Sequence, residues 1–68
     1  MVSKIQSIIF LKHLWTKPNA VNWLKNHNFK SDVDEKLKTW RFRQIQPNKK
    51  YKYITKKTPE GISFVIQI

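Results

Sequence analysis

The hydrophobic rhythm of the chain divides it into one helical and several extended stretches. Residues 4–11 are rich in isoleucine and bounded by polar positions, which predicts a strand. From Trp15 to Asn28 the period changes. Ala20, Trp23, Leu24 and His27 fall at i, i+3, i+4 and i+7, one face of a helix, and Asn22, Lys25 and Asn26 fall on the other. Thr16 offers an N-cap oxygen and Pro18 sits in the first turn, where its missing N–H does no harm. Asn28 tolerates the left-handed conformation that ends a helix.

Beyond the helix, residues 32–36 are polar and predict a turn or a short edge segment. Residues 37–45 alternate and carry Thr39, Trp40, Phe42 and Ile45, which predicts a strand. Residues 46–50 turn the chain, residues 51–56 form the next strand, and Thr58-Pro59-Glu60-Gly61 is a turn in which Gly61 is free to take positive φ. Residues 62–68 complete the pattern as a last strand. The expected fold class is α+β in the order β-α-β-β-β, with one helix packed on a small, mainly antiparallel sheet. The last three strands are expected to form a meander with the first strand beside them.

At 68 residues the chain predicts a single domain spanning 1–68. A domain this size buries only about 60% of the surface its unfolded chain exposes. There is no cysteine, which excludes disulfides, thiolate zinc sites and cysteine nucleophiles. Two histidines and four acids (Asp32, Asp34, Glu35, Glu60) are a poor set of parts for acid–base or metal chemistry, so the expectation is a non-enzymatic module without a cofactor or metal. Against those acids stand 14 Lys and Arg, giving a formal net charge of +10. Such self-repulsion calls for a polyanionic partner. With 40% hydrophobic residues the chain is too apolar for a disordered basic tail. The apolar stretch Ile8-Ile9-Phe10-Leu11 is shorter than a signal-peptide core and has no small-residue cleavage site after it, and no run approaches a membrane span. These features predict an intracellular protein that does not engage membranes.

Side chains alternate across a strand, so each strand sorts by parity. Trp40 and Phe42 share one face, with Thr39, Arg41 and Arg43 opposite. Ile54 is opposed by Tyr51, Tyr53 and Thr55, while Ile62, Phe64, Ile66 and Ile68 share a face. If the helix covers Trp40, Phe42 and the isoleucine face, an outer surface of Arg41, Arg43, Tyr51 and Tyr53 remains, fringed by lysines. Arginines beside planar aromatics hold phosphates and stack bases. The densest basic stretch supplies Lys49, Lys50, Lys52, Lys56 and Lys57, interleaved with the two tyrosines. Lysines bind phosphate without reading bases, so affinity without sequence preference is expected. The plainer reading is that tyrosines suit any strand and that the lysines are solubilising charge.

Asp32, Asp34 and Glu35 form the one acidic cluster. A metal-dependent nuclease is its sharp reading, and a polar turn that pairs with nearby lysines is its bland and preferred one. Trp15 and Trp23 are read as packing residues. Residues 62–68 are hydrophobic and nearly uncharged, so as a sheet edge they would invite pairing with a second copy, and a homodimer is expected through that edge.

A set of motifs in a fixed order carries a resemblance. Ile5-Gln6-Ser7-Ile8-Ile9-Phe10, Trp23-Leu24-Lys25-Asn26-His27, Val33-Asp34-Glu35, Arg41-Phe42-Arg43-Gln44 with Pro47, then Gly61-Ile62 and Val65-Ile66, span nearly the whole chain. The pattern resembles a small domain of uncharacterised phage, giant-virus and virophage proteins, and is similar to a small DNA-binding virophage protein. Many relatives carry glycine after the final Val-Ile, where this chain has Gln67. The resemblance implies viral origin, and with it residence in a host cell during viral replication or in a virion. It transfers no catalytic residue. The expected function is a virus-encoded nucleic-acid-binding protein, DNA favoured over RNA, with Arg41, Arg43, Lys49, Lys50, Lys52, Lys56 and Lys57 supplying charge and Tyr51 and Tyr53 stacking. The alternative is an adaptor module that docks on an acidic viral or host protein.

Overall fold

The computed structural model describes residues 4–68. It is an α+β fold: β1 (Lys4–Leu11), α1 (Lys17–Asn26), β2 (Val33–Glu35), β3 (Thr39–Arg43), β4 (Tyr53–Lys57) and β5 (Ile62–Gln67). All five strands join one antiparallel sheet in the order β2-β3-β1-β5-β4. The expected meander does not form. β1 inserts between β3 and β5, where its alternating apolar set matches both neighbours on the buried face: Ile8 lies opposite both Phe42 and Phe64, and Phe10 opposite both Trp40 and Ile62. β5 is therefore interior, and the edge expected at residues 62–68 is occupied by β4. The polar stretch 32–36 resolves into the short edge strand β2, while Leu37 belongs to the β2–β3 turn rather than to a strand.

The helix is shorter than the periodicity predicts, since Trp15 and Thr16 precede it. Its ends are built as the residues suggest. The Thr16 hydroxyl accepts from the Asn19 N–H at 3.3 Å, and Pro18 occupies the first turn. Asn28 adopts φ 61°, while the N–H groups of Phe29 and Asn28 donate to the carbonyls of Leu24 (2.8 Å) and Lys25 (3.2 Å). This paired closure satisfies carbonyls that the last turn would otherwise leave bare. Ala20 and Leu24 are buried against the sheet. His27 does not join them; it is exposed, stacked on Trp23 with centroids 4.0 Å apart.

The core comprises Ile8, Phe10, Ala20, Leu24, Phe42 and Ile62. Phe10 meets Trp15, Trp23 and Phe42 edge to face, at centroid distances of 4.9, 5.7 and 5.6 Å. Edge-to-face contacts of this kind add about 0.5–1.5 kcal/mol beyond burial. Trp15 and Trp23 are thus packing residues, and both indole N–H groups of Trp15 and Trp40 find carbonyls, on Glu60 (2.8 Å) and Trp15 (3.2 Å) respectively.

One irregularity decides which side chains face the helix. Ile5 pairs with Ile66 and Ser7 with Val65, so Gln6 is an extra residue, a bulge in β1. It carries Ile5 onto the helix side with Ile8 and Phe10, where strict alternation would put it on the outer side. At the opposite end, Gly61 takes φ +81°, and a Cβ there would lie 2.6 Å from Leu14 Cδ1.

Two measurements test this packing. Gly61→Ala combines left-handed strain with a clash and should cost about 1–3 kcal/mol of unfolding free energy, read as a lowered Tm. Glu35 accepts from Lys12 at 2.8 Å, and that hydrogen bond, with the Lys12 charge, holds its carboxyl below the ordinary carboxylate value. The unfolded chain then binds the proton more readily. The bridge stabilises the fold above the ordinary carboxylate pKa and is lost as pH falls through the lowered value. Glu35→Gln should flatten the acid limb of a Tm-against-pH profile, and an unaltered limb would refute the linkage.

Candidate nucleic-acid interface

The side chains singled out by the sequence distribute over three places. Register puts Arg41 opposite Ile9 and Arg43 opposite Ser7 on the helix-free face, with Ser63 and Val65 of β5 in the same two rows. Lys57 and Thr55 complete those rows on β4, and Tyr53, opposite Gln67, lies on the same face. The parity sorting of Arg41, Arg43 and Tyr53 therefore holds. The expected adjacency of arginines and tyrosines does not, because two strands intervene. β3 and β4 are three strand spacings apart, about 14 Å, and the ground between them is Ile9, Leu11 and Val65 rather than charge. Lys56, opposite Phe64, emerges on the helix side of the sheet, back to back with Lys57.

What does gather charge is the connection from β3 to β4. It must cross from one side of the sheet to the other, past the first residue of β1 and the last of β5. The crossing brings Arg43, Lys49, Lys50, Tyr51 and Lys52 to the sheet end where Lys4 also lies. The loop is held in shape from within. The Tyr53 hydroxyl accepts the Asn48 N–H at 2.7 Å and donates to the Asn48 carbonyl at 3.2 Å, while the Asn48 side chain accepts from the Lys50 N–H at 2.9 Å. The Lys52 carbonyl accepts from Ile68 at 2.9 Å and so extends the β4–β5 ladder. Tyr53 is thus a clamp for the turn, and its hydroxyl is committed. Tyr51 is 48% exposed, and its hydroxyl has no partner among the described residues, so its ring is free to stack.

Arg41 is likewise less free than its charge suggests. Its guanidinium makes a long 3.5 Å contact to Gln6 Oε1, and its Nε is buried without a hydrogen-bond partner. Beneath it lies a polar group that periodicity does not reveal. Gln6 and Ser7 are 2% and 0% exposed; Ser7 Oγ donates to Gln6 Oε1 at 2.7 Å, and Gln6 Nε2 donates to the Ile45 carbonyl at 3.0 Å. Gln44 secures the other side, accepting from the Lys30 N–H (2.7 Å) and donating to the Lys30 carbonyl (2.9 Å). These buried amides anchor Gln44 and Ile45, directly after Arg43, and fix where the crossover departs. The only sequence signal for them is glutamine in otherwise apolar strands. Beside them Lys30, Asp32, Arg43, Gln44, Ile45 and Gln46 line a cleft of about 270 Å³.

Electrostatically the molecule is divided. Two ion pairs form among the described residues, Lys12–Glu35 at 2.8 Å and Lys36–Asp34 at 3.1 Å, which occupies two members of the acidic cluster. Arg43, Lys49, Lys50, Lys52, Lys56 and Lys57 have no carboxylate partner, and no acid occurs between Glu35 and Glu60. Among the described residues no three His, Asp or Glu side chains converge as metal ligands, and no helix is long and apolar enough to cross a membrane. Comparison of the chain with protein-family models, curated proteins and solved structures returned no match.

The clamp is open to direct test. Tyr53→Phe removes both bonds to Asn48 while keeping the ring, and should cost about 1 kcal/mol. Amide exchange at Asn48 should accelerate well beyond that at Ile54, and equal protection in both proteins would refute the clamp.

Proposed function

We propose that this chain is a nucleic-acid-binding protein that holds phosphates at the basic end of its sheet, with DNA as the favoured partner and little sequence preference. The observation that carries the reading is the grouping of Lys49, Lys50 and Lys52, none of them ion-paired, in one loop braced by Tyr53, with Arg43 at the same end of the sheet. A braced loop loses less conformational freedom on binding than a mobile tail would. Lysine-dominated contacts position a backbone and do not read bases. Tyr51 adds an exposed ring within the same cluster, suited to stacking on an unpaired base. Lys56, Lys57 and Arg41 lie outside the cluster and contribute long-range attraction rather than contacts. Viral origin rests on the sequence resemblance alone.

Fluorescence anisotropy of labelled duplex and single-stranded DNA, titrated across a range of salt, tests the reading. With about four phosphates neutralised, log K should fall with log salt at a slope near −3.6 on duplex. Lys50→Ala with Lys52→Ala should reduce that slope by about 1.8. Tyr51→Ala should weaken single-strand binding by roughly tenfold and duplex binding far less. A folded protein that fails to bind at low salt would overturn the proposal and favour an acidic protein surface as the partner.

A further inference from the structure

The end of the sheet opposite the basic loop carries a second, differently built surface. There the β1–α1 connection, α1 and the β4–β5 turn border a shallow, open groove of about 570 Å³. It is lined by apolar Leu14, Trp15, Trp23 and Pro59 and by polar Asn19, Asn22, Asn26 and Glu60. Three features set it apart from ordinary surface. Leu14 is 56% exposed, although its side chain is held against Gly61. The carboxamides of Asn19, Asn22 and Asn26 make no hydrogen bonds among the described residues, and asparagine is a poor helix former that a solvated face does not need. Glu60 forms no ion pair among the described residues, in a protein with a net charge of +10.

The same end of the molecule carries an apolar knob. Leu37, in the β2–β3 turn, is 89% exposed, the most exposed large hydrophobic side chain described, and it stands between Lys36 and Lys38. Its turn is rigid: the Lys36 N–H donates to the Thr39 carbonyl at 2.9 Å, and the Lys12 N–H donates to the Lys38 carbonyl at 3.0 Å. The N–H and carbonyl of Leu37 itself are unengaged among the described residues. A rigid leucine flanked by lysines is the complement of an indole-walled groove rimmed by amides and one free carboxylate.

We infer that the partner of this groove is a second copy of the chain, in a two-fold dimer that seats Leu37 of each copy between Trp15 and Trp23 of the other and brings Lys38 to Glu60. The topology allows closure. Knob and groove lie at the same end of the sheet, the knob beside β3 and the groove beside β5 and β4, so one two-fold axis through that end satisfies both contacts at once. The asparagine carboxamides can then meet the free backbone groups of the incoming turn. The two basic loops, which hold Lys49, Lys50 and Lys52, fall at the far poles of the dimer. This dimer replaces the one expected through residues 62–68, which lie inside the sheet. It is independent of nucleic-acid binding.

Sedimentation equilibrium of the native chain without nucleic acid, from low to high micromolar concentration, should show reversible monomer–dimer association. Leu37→Asp should raise the dissociation constant about a hundredfold. Because Leu37 is solvent-exposed in the monomer, that variant should keep its circular-dichroism spectrum and Tm at low concentration. Lys38→Glu and Glu60→Lys should each weaken association, and the double exchange should restore it. A native chain that stays monomeric throughout the range, or a dimer that Leu37→Asp leaves intact, overturns the inference.

Discussion

The Phe10 ring is the point on which the fold turns. It is fully buried and meets Trp15 of the β1–α1 connection, Trp23 of the helix and Phe42 of β3 edge to face. Because Phe10 belongs to the central strand, these contacts tie the helix to the middle of the sheet rather than to one margin. A single helix of ten residues can then close the core of five strands. The two hairpins, β2–β3 and β4–β5, hang on either side of β1 and have no direct contact through their strands.

Placing β1 at the centre has a consequence for charge. The strands of a meander would be joined by tight turns, and the lysines would lie along one hairpin. With β1 between them, β3 and β4 must be joined by a chain that crosses the sheet end. The basic residues of that crossing lie at the sheet end that holds Arg43, away from the knob and groove. The acids follow the opposite logic. Asp34 and Glu35 are taken up by Lys36 and Lys12, and the free Glu60 sits in the β4–β5 turn beside the indoles. Three of the four acids thus lie at the end that carries the knob and groove, where they offset part of its lysine charge.

Much of this is readable from local pattern, and the limits are physical. The helix cap at Thr16, the left-handed Asn28, the turn at Gly61 and the opposition of Arg41 and Arg43 to Trp40 and Phe42 follow from φ/ψ preference and strand alternation, which are properties of a few neighbouring residues. The Gln6 bulge, the committed hydroxyl of Tyr53 and the buried amides of Gln6 and Gln44 are not readable in this way. Each depends on a partner far along the chain: Ile45 for Gln6, Lys30 for Gln44, and for Tyr53 a turn whose shape depends on the crossover. Lys49, Lys50, Tyr51 and Lys52 share one loop at the sheet end that also holds Arg43; Arg41, Lys56 and Lys57 lie elsewhere.

By itself the sequence determined the fold class, the helix and its caps, the absence of thiol chemistry and the excess of positive charge, because each is local or a matter of composition. Tertiary structure alone decided strand order, and with it which basic residues converge and which strand is an edge. Strand order is set by matching buried side chains between strands distant in sequence, Ile8 against Phe42 and Phe64, Phe10 against Trp40 and Ile62. No periodicity within a strand encodes which neighbour it will meet.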